Sequence, residues 1–398
     1  MQYHTPHKKN STITTVVMCA IVFFLFTFAF LYWYQWDLLT FAQYVLSKGQ
    51  THYDRMIGAV IVTVVLFILQ QVVYGLLRLS KRTHALTYVP SMLALAVLCD
   101  VQPDILSGFS FGKWVWLVPL SLVLWGAAVW VARQALPFDN MKENTGVFSR
   151  RVWGNMLQMV CMMLFVAATT ETDSVFHYRV HMESSISLGD YDEALRTGIR
   201  SEETDASLTM LRAFALSKKE QLAERLFEYP VAGRSEDMLP LPSSKSRLLF
   251  LSKDSLYRHL GACPIAVGSV SRYYDLLERD SLASKAVADY RLCGYLVDGK
   301  LDAFVEKLPA YYDMNGYLPK HYREALLLYA AIHLQQGDTI AFDDYGQKAQ
   351  WKDFQDLQSQ YADPSEQKVK VGDWYRNTYW YYYLYKKNFY LYKKNFSL

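Results

Sequence analysis

Four stretches of this sequence stay apolar for about twenty residues, the length that crosses a 30 Å hydrocarbon layer at about 1.5 Å per residue. They are Thr12–Tyr34, Met56–Leu77, Trp114–Val131 and Val152–Ala168. Lipid offers no partner to a backbone N–H or C=O, so such stretches can only fold as helices that satisfy their own polar groups. That restricts residues 1–172 to a helical membrane block. A fifth stretch, Leu86–Cys99, is shorter, carries Pro90 and stops at Asp100. To cross a bilayer it would need help from Val101–Leu106.

An odd or even number of crossings puts the rest of the chain on opposite sides. Lys and Arg are retained on the cytoplasmic side. Five crossings with the N-terminus inside place Lys8, Lys9, Arg78, Lys81, Arg82, Arg133, Lys142, Arg150 and Arg151 in the cytoplasm, against Lys48, Arg55 and Lys113 outside. Four crossings leave six on each side. The charge pattern therefore predicts five crossings and places residues 173–398 outside the cytoplasm. Thr12–Tyr34 is too long for the apolar core of a signal peptide, and it ends in YWYQWD rather than a small-residue cleavage site. It reads as a retained first span, with Tyr32, Trp33, Tyr34 and Trp36 forming an aromatic belt at the outer interface.

After residue 172 the composition changes. The first 172 residues hold 12 Lys+Arg and 7 Asp+Glu, and the remainder holds 29 and 31, as a water-soluble domain would. Neither half is basic enough for nucleic acid. The apolar period is helical: in LPKHYREALLLYAAIHLQQGD, Tyr322, Ala325, Leu326, Tyr329 and His333 fall on one helix face. Three turns look alike. Gly189 precedes Ala194 by five residues, as Gly299 precedes Phe304 and Gly337 precedes Phe342. The pattern predicts one unit reused: a helix ends at a left-handed glycine, the chain turns, and a second helix buries a small or flat side chain against the first. The expected fold is all-α, with about five transmembrane helices followed by a degenerate tetratricopeptide-like α-solenoid over residues 173–385. The proline-rich break around 229–247 is expected to form a surface loop. Residues 386–398 form an extension in which YLYKKNF, residues 383–389, is repeated as 390–396. The aromatic run TYWYYYLY before it reads as the last helix of the stack, and the repeat as a duplication without function rather than a lipid grip.

The segments VFHYRVHMESSISLGDYDEAL, TMLRAFALSKKEQLAERLFEYP, ADYRLCGYLVDGKLDAF, LPKHYREALLLY and TYWYYYLY, with SKRTHALTYVPS and TGVFSRRVW upstream, give the chain a further reading. It resembles an uncharacterised family of Bacteroidetes transmembrane proteins that carry a tetratricopeptide-like domain after a membrane block. The resemblance implies that architecture, an inner-membrane location and a periplasmic C-terminal domain. It supplies no catalytic residue.

P-loop, GxGxxG, HExxH, CxxC and GxSxG signatures are absent. His177 and His181 lie one helical turn apart with Glu183 nearby, a spacing that can hold zinc, but packing inside the first solenoid helix is the simpler reading. Asp37, Asp100 and Asp104 fall on the outer side, where a carboxylate could activate an acceptor hydroxyl on a lipid-linked substrate; water-facing acids beyond a span are commoner. Gln70, Gln71 and Gln158, inside spans, are expected to hydrogen-bond between helices. Cys263 and Cys293 could pair in an oxidising compartment, although two separate thiols are simpler. The 30 tyrosines either pack the helices or line a binding groove. No catalytic, metal or cofactor residue is assigned, and no cofactor is expected. The expected role is a membrane-anchored scaffold of the cell envelope, with the lipid bilayer and other envelope proteins as partners. The alternative is a membrane enzyme or transport subunit.

Overall fold

The computed structural model describes residues 10–51, 53–77, 79, 81–101, 112–134, 149–263, 268–333 and 344–387. Asp104, Gly337, Phe342 and the second copy of the heptad lie outside the described residues. The described residues are all-helical, without strands, as the sequence predicts. They divide into two compact units, 1–173 and 174–398.

The first unit contains α1 (Asn10–Ala29, running on as a π-helix over Phe30–Tyr34), α2 (Trp36–Leu46), α3 (Arg55–Leu77), α4 (Val89–Cys99, entered through a 3-10 segment over Lys81–Tyr88), α5 (Trp114–Gln134) and α6 (Arg150–Thr169). Four of its helices are long and apolar enough to cross a membrane: Thr14–Tyr34, α3, α5 and α6. Their outer faces are apolar; Ile57, Ile61, Val65, Ile68 and Val72 stand exposed along α3. In water such a surface would drive aggregation, and in lipid it is solvated.

Hydrogen bonds fix the register of these helices. Gln70 Nε2 donates to Thr87 Oγ1 (2.9 Å) and Ser91 Oγ donates to the Leu66 carbonyl (2.8 Å), so α3 and the 81–99 segment run antiparallel. At the start of that segment the Asn155 carboxamide accepts from Ala85 N (2.7 Å) and donates to the Arg82 carbonyl (3.2 Å), joining it to the first turns of α6. At its end Lys113 Nζ bridges Asp100 Oδ1 (3.0 Å) and the Thr169 carbonyl (2.7 Å), joining it to the last turn of α6. Residues 82–100 therefore extend alongside α6 from one end to the other. From His84 to Cys99 the helical rise amounts to about 25 Å, four steps at a 3-10 rise and eleven at an α rise. Most of this segment is inside the unit: Ala85, Tyr88, Leu95, Ala96 and Cys99 are fully buried.

The second unit contains α7 (Ser174–Ser187), α8 (Tyr191–Arg196), α9 (Ala206–Lys218), α10 (Leu222–Arg225), α11 (Lys253–Leu260), α12 (Val270–Arg279), α13 (Ala286–Asp298), α14 (Leu301–Lys307), α15 (Lys320–His333), α16 (Tyr345–Ser359), α17 (Pro364–Tyr375) and α18 (Tyr379–Tyr381). Three long helices are each followed by a short one. α7, α9 and α13 have 14, 13 and 13 residues, and the helices after them have 6, 4 and 7. The short helices pack on long ones: α8 on α7 and α9, α10 on α15 and α13, α14 on α13 and α15.

The turns between them share one hydrogen-bond pattern. Gly189 N donates to the Ile186 carbonyl and Asp190 N to Ser185; Gly299 N donates to Leu296 and Lys300 N to Tyr295. Both glycines have left-handed backbone, φ 78° and 64°, and Ala194 and Phe304 are fully buried as the spacing predicts. The α9–α10 turn makes the same pair of bonds with Glu220 at φ 56°. No glycine marks it, so a search for glycines passes over it.

The stretch 229–247 is not a surface loop. Tyr229, Val231, Met238, Leu239 and Leu241 are buried. Its irregular backbone is satisfied by side chains in place of water. Thr209 Oγ1 accepts from Ala232 N, and Asp237 accepts from Arg234 N (3.0 Å) and Lys245 N (2.6 Å). The prolines stop a helix here, and the apolar residues between them still go inside.

Candidate functional site

The candidate residues of the second unit fall into two groups, those that hold it together and those left open to ligands. Glu183 belongs to the first. It projects from α7 into the core, fully buried, and accepts from the backbone amides of Leu249, Phe250 and Leu251 at 2.8–3.0 Å. It is thereby committed away from metal binding. His181 Nε2 instead sits 3.5 Å from Glu193 Oε1 on α8. Among the described residues no group of three His, Cys, Asp or Glu side chains is placed to hold a metal.

Two further carboxylates act in the same way. Glu324 on α15 takes His321 Nδ1 (2.8 Å) and Tyr379 N (2.7 Å), while its own carbonyl accepts from Trp380 Nε1 (2.7 Å). Asp289 on α13 receives the Tyr312 and Tyr322 hydroxyls at 2.6 and 2.8 Å. Burial raises the Asp289 carboxyl above the usual carboxylate range, and the two hydroxyls pull it back. The aromatic run at 379–382 is buried throughout, with Trp380 fully so, as expected of a closing helix. Tyr385 Oη donates to Gln367 Oε1 (2.9 Å) and Lys386 Nζ lies 5.7 Å from the Tyr381 ring centre, so the helix carries on into the first residues of the extension.

The tyrosines divide: Tyr317 and Tyr345 stand exposed, and others pack the helices. Tyr257, Tyr273, Tyr274, Tyr290 and Tyr322 are buried between helices, where their rings contribute area; the hydroxyls of Tyr257, Tyr273 and Tyr322 donate to Pro240, Ala262 and Asp289. Cys263 is exposed and Cys293 fully buried beside Tyr322, and neither is in a disulfide.

In the first unit, Asp100 is tied to Lys113 and to Trp114 Nε1 (2.7 Å), and Asp37 is buried at the start of α2. Gln70 makes the expected interhelical bond, Gln71 donates to Gln70, and Gln158 Oε1 is buried without a partner among the described residues. A cleft of about 680 Å³ between α4 and α5 is lined by Leu93, Val97, Trp114, Val118 and Leu122 among others, without a carboxylate.

The open polar feature is a cleft of about 630 Å³ in the second unit. Gln350, Asp353, Leu357 and Gln360 enter it from one stripe of α16, joined by Asp356. Trp374 and Tyr375 enter from the end of α17, and Asn377, Thr378 and Lys320 complete it. Beside that stripe α16 is anchored: Phe354 is fully buried, stacked on Trp351 and edge-on to Tyr375. Sequence reasoning missed this site. Its only trace is polar residues at three- and four-residue steps in GQKAQWKDFQDLQSQ, which any solvated helix face shares.

Residues 271–386, under a third of the chain, match the family described as Family of unknown function (DUF6057). The match runs from α12 through α18 and contains the cleft. No curated protein and no solved structure matches the chain.

Proposed function

We propose that this chain is a five-pass inner-membrane protein that carries its second unit on the non-cytoplasmic side as a partner-binding scaffold of the cell envelope. The observation that carries the reading is the extent of residues 82–100, which lie alongside α6 from its first turns to its last. A segment of that reach makes a crossing of its own beside the four long apolar helices. Thr87 and Ser91 are admissible there because they face protein, where Gln70 and the Leu66 carbonyl meet them, and Asn155 accepts the Ala85 amide. Five crossings give the nine-to-three distribution of Lys and Arg that favours a cytoplasmic N-terminus. The chain then leaves α6 at the Asp100 end and enters the second unit outside the cytoplasm.

The three long–short helix pairs, each joined by the same left-handed turn, support a degenerate α-solenoid. Folds of that kind present surfaces to partners. The commitment of Glu183, Glu324, Asp289 and Asp100 to structural bonds favours binding over catalysis.

Cys263 provides the test, since it is exposed on the second unit. A membrane-impermeant maleimide should label intact spheroplasts at Cys263 and should not label Cys263→Ser. Labelling that appears only after lysis overturns the topology. Cross-linking of the full chain in mild detergent followed by mass spectrometry should recover envelope proteins; exclusively cytoplasmic partners would overturn the scaffold assignment.

A further inference from the structure

The cleft between α16 and α17 has the chemistry of a small polar ligand site. Trp374 is 77% exposed at its edge, whereas Trp380, six residues on, is fully buried. An indole on a solvated wall offers a flat, electron-rich face with no partner of its own kind. Around it stand five exposed side chains with polar heads: Asp353, Asp356, Gln350, Gln360 and Asn377. The other two polar residues are engaged. Lys320 Nζ donates to the Asn377 carbonyl at 2.9 Å, and Thr378 Oγ1 donates to the Tyr375 carbonyl at 2.7 Å.

The balance of donors and acceptors discriminates between ligand classes. Two carboxylates only accept, whereas three carboxamides both donate and accept. A cation would use only the acceptors. A polyhydroxylated ring uses both kinds, because every hydroxyl donates and accepts. The apolar C–H face of a pyranose also fits an indole, its partly positive hydrogens meeting the negative face of the π-system. The wall is held by an aromatic cluster: Phe354, Trp351 and Trp380 interlock behind it with Tyr375, which itself lines the cleft, ring centres lying 5.1–6.0 Å apart.

We propose that this cleft binds a short glycan, with one pyranose ring stacked on Trp374 and the hydroxyls along the glycan held by Asp353, Asp356 and the carboxamides of Gln350, Gln360 and Asn377. The site is shallow and water-facing, so a dissociation constant of about 0.1–1 mM is expected for one short glycan. The proposal does not depend on the membrane topology, and either can fail alone.

The test uses the full chain in mild detergent on a printed glycan panel spanning the common pyranoses. The best binder is then titrated by ligand-observed NMR, with a tri-lysine peptide as the cationic comparison. The wild type should bind at least one glycan family. Trp374→Ala should weaken that binding about tenfold or more, and Asp353→Asn with Asp356→Asn about fivefold or more, while the thermal unfolding midpoint stays within about 2 °C of wild type. Three results overturn the proposal: no glycan bound by the wild type, tri-lysine bound in a salt-sensitive manner while glycans are not, or affinity unchanged in Trp374→Ala.

Discussion

Asn155 Oδ1 accepts the Ala85 amide at 2.7 Å, and its Nδ2 donates to the Arg82 carbonyl. One carboxamide on α6 thus satisfies the non-α backbone at the start of the central segment. Asn155→Leu should leave the buried Ala85 N–H unpaired, at about 1–3 kcal/mol. Gln70→Leu should cost less than about 1 kcal/mol, because Thr87 Oγ1 retains its bond to the His84 carbonyl. Unfolding midpoints in detergent compare the two; equal losses would argue against a pinning role for Asn155.

Glu183 should be among the least replaceable residues of the second unit. Glu183→Ala orphans three backbone amides, and a loss of about 3 kcal/mol or more is expected. Hydrogen exchange at Leu249, Phe250 and Leu251 should quicken first. Protection unchanged there would contradict the bonding described.

Backbone handedness gives a pair of opposite effects. Gly299 and Glu220 occupy the same left-handed turn position at φ 64° and 56°. Gly299→Ala should destabilise by about 1 kcal/mol, and Glu220→Gly should stabilise by about 0.5 kcal/mol, since a Cβ is penalised in that region. Denaturant midpoints with unchanged slopes would measure both.

His259 should make the second unit acid-sensitive over a defined window. Burial, with a smaller contribution from Lys218, lowers its pKa to about 4, and its Nε2 lies 2.8 Å from Ser217 Oγ. In the unfolded chain the imidazole titrates near 6.5. Between those values the unfolded state binds a proton that the folded state refuses, so stability falls as pH drops from about 6.5 to about 4 and is flat above. His259→Gln should flatten that part of the profile. A profile of unchanged steepness would assign the sensitivity to other groups.

Trp380 closes the stack, with its indole N–H on the Glu324 carbonyl. Trp380→Ala should cost about 3–5 kcal/mol, whereas deletion of 388–398 should leave the unfolding midpoint unchanged. Thermal melts of both variants would decide whether the aromatic run or the repeat is the structural element.

Local rules determined much of this protein in the sequence itself. Twenty apolar residues can only be a membrane helix in lipid, so α1, α3, α5 and α6 are legible with a window and a hydropathy scale. Gly189 and Gly299 announce their turns because a residue without Cβ enters the left-handed region at little cost, and Tyr322, Ala325 and Leu326 announce the inner face of α15 by period. Other features depend on what a residue meets across space. The segment from Arg82 to Asp100 carries histidine, threonine and serine, and reads as a poor span until its neighbours are known. In the fold it is surrounded by protein: Gln70 and the Leu66 carbonyl meet Thr87 and Ser91, and Asn155 meets the backbone of Arg82 and Ala85. Glu220 turns the chain as a glycine would, held by backbone bonds to Ser217 and Leu216. The prolines of 229–247 suggest a surface loop, but Asp237 and Thr209 satisfy that backbone from inside and so let it be buried. The cleft beside Trp374 is equally invisible in one dimension, since its two walls lie on separate helices and only packing brings them together.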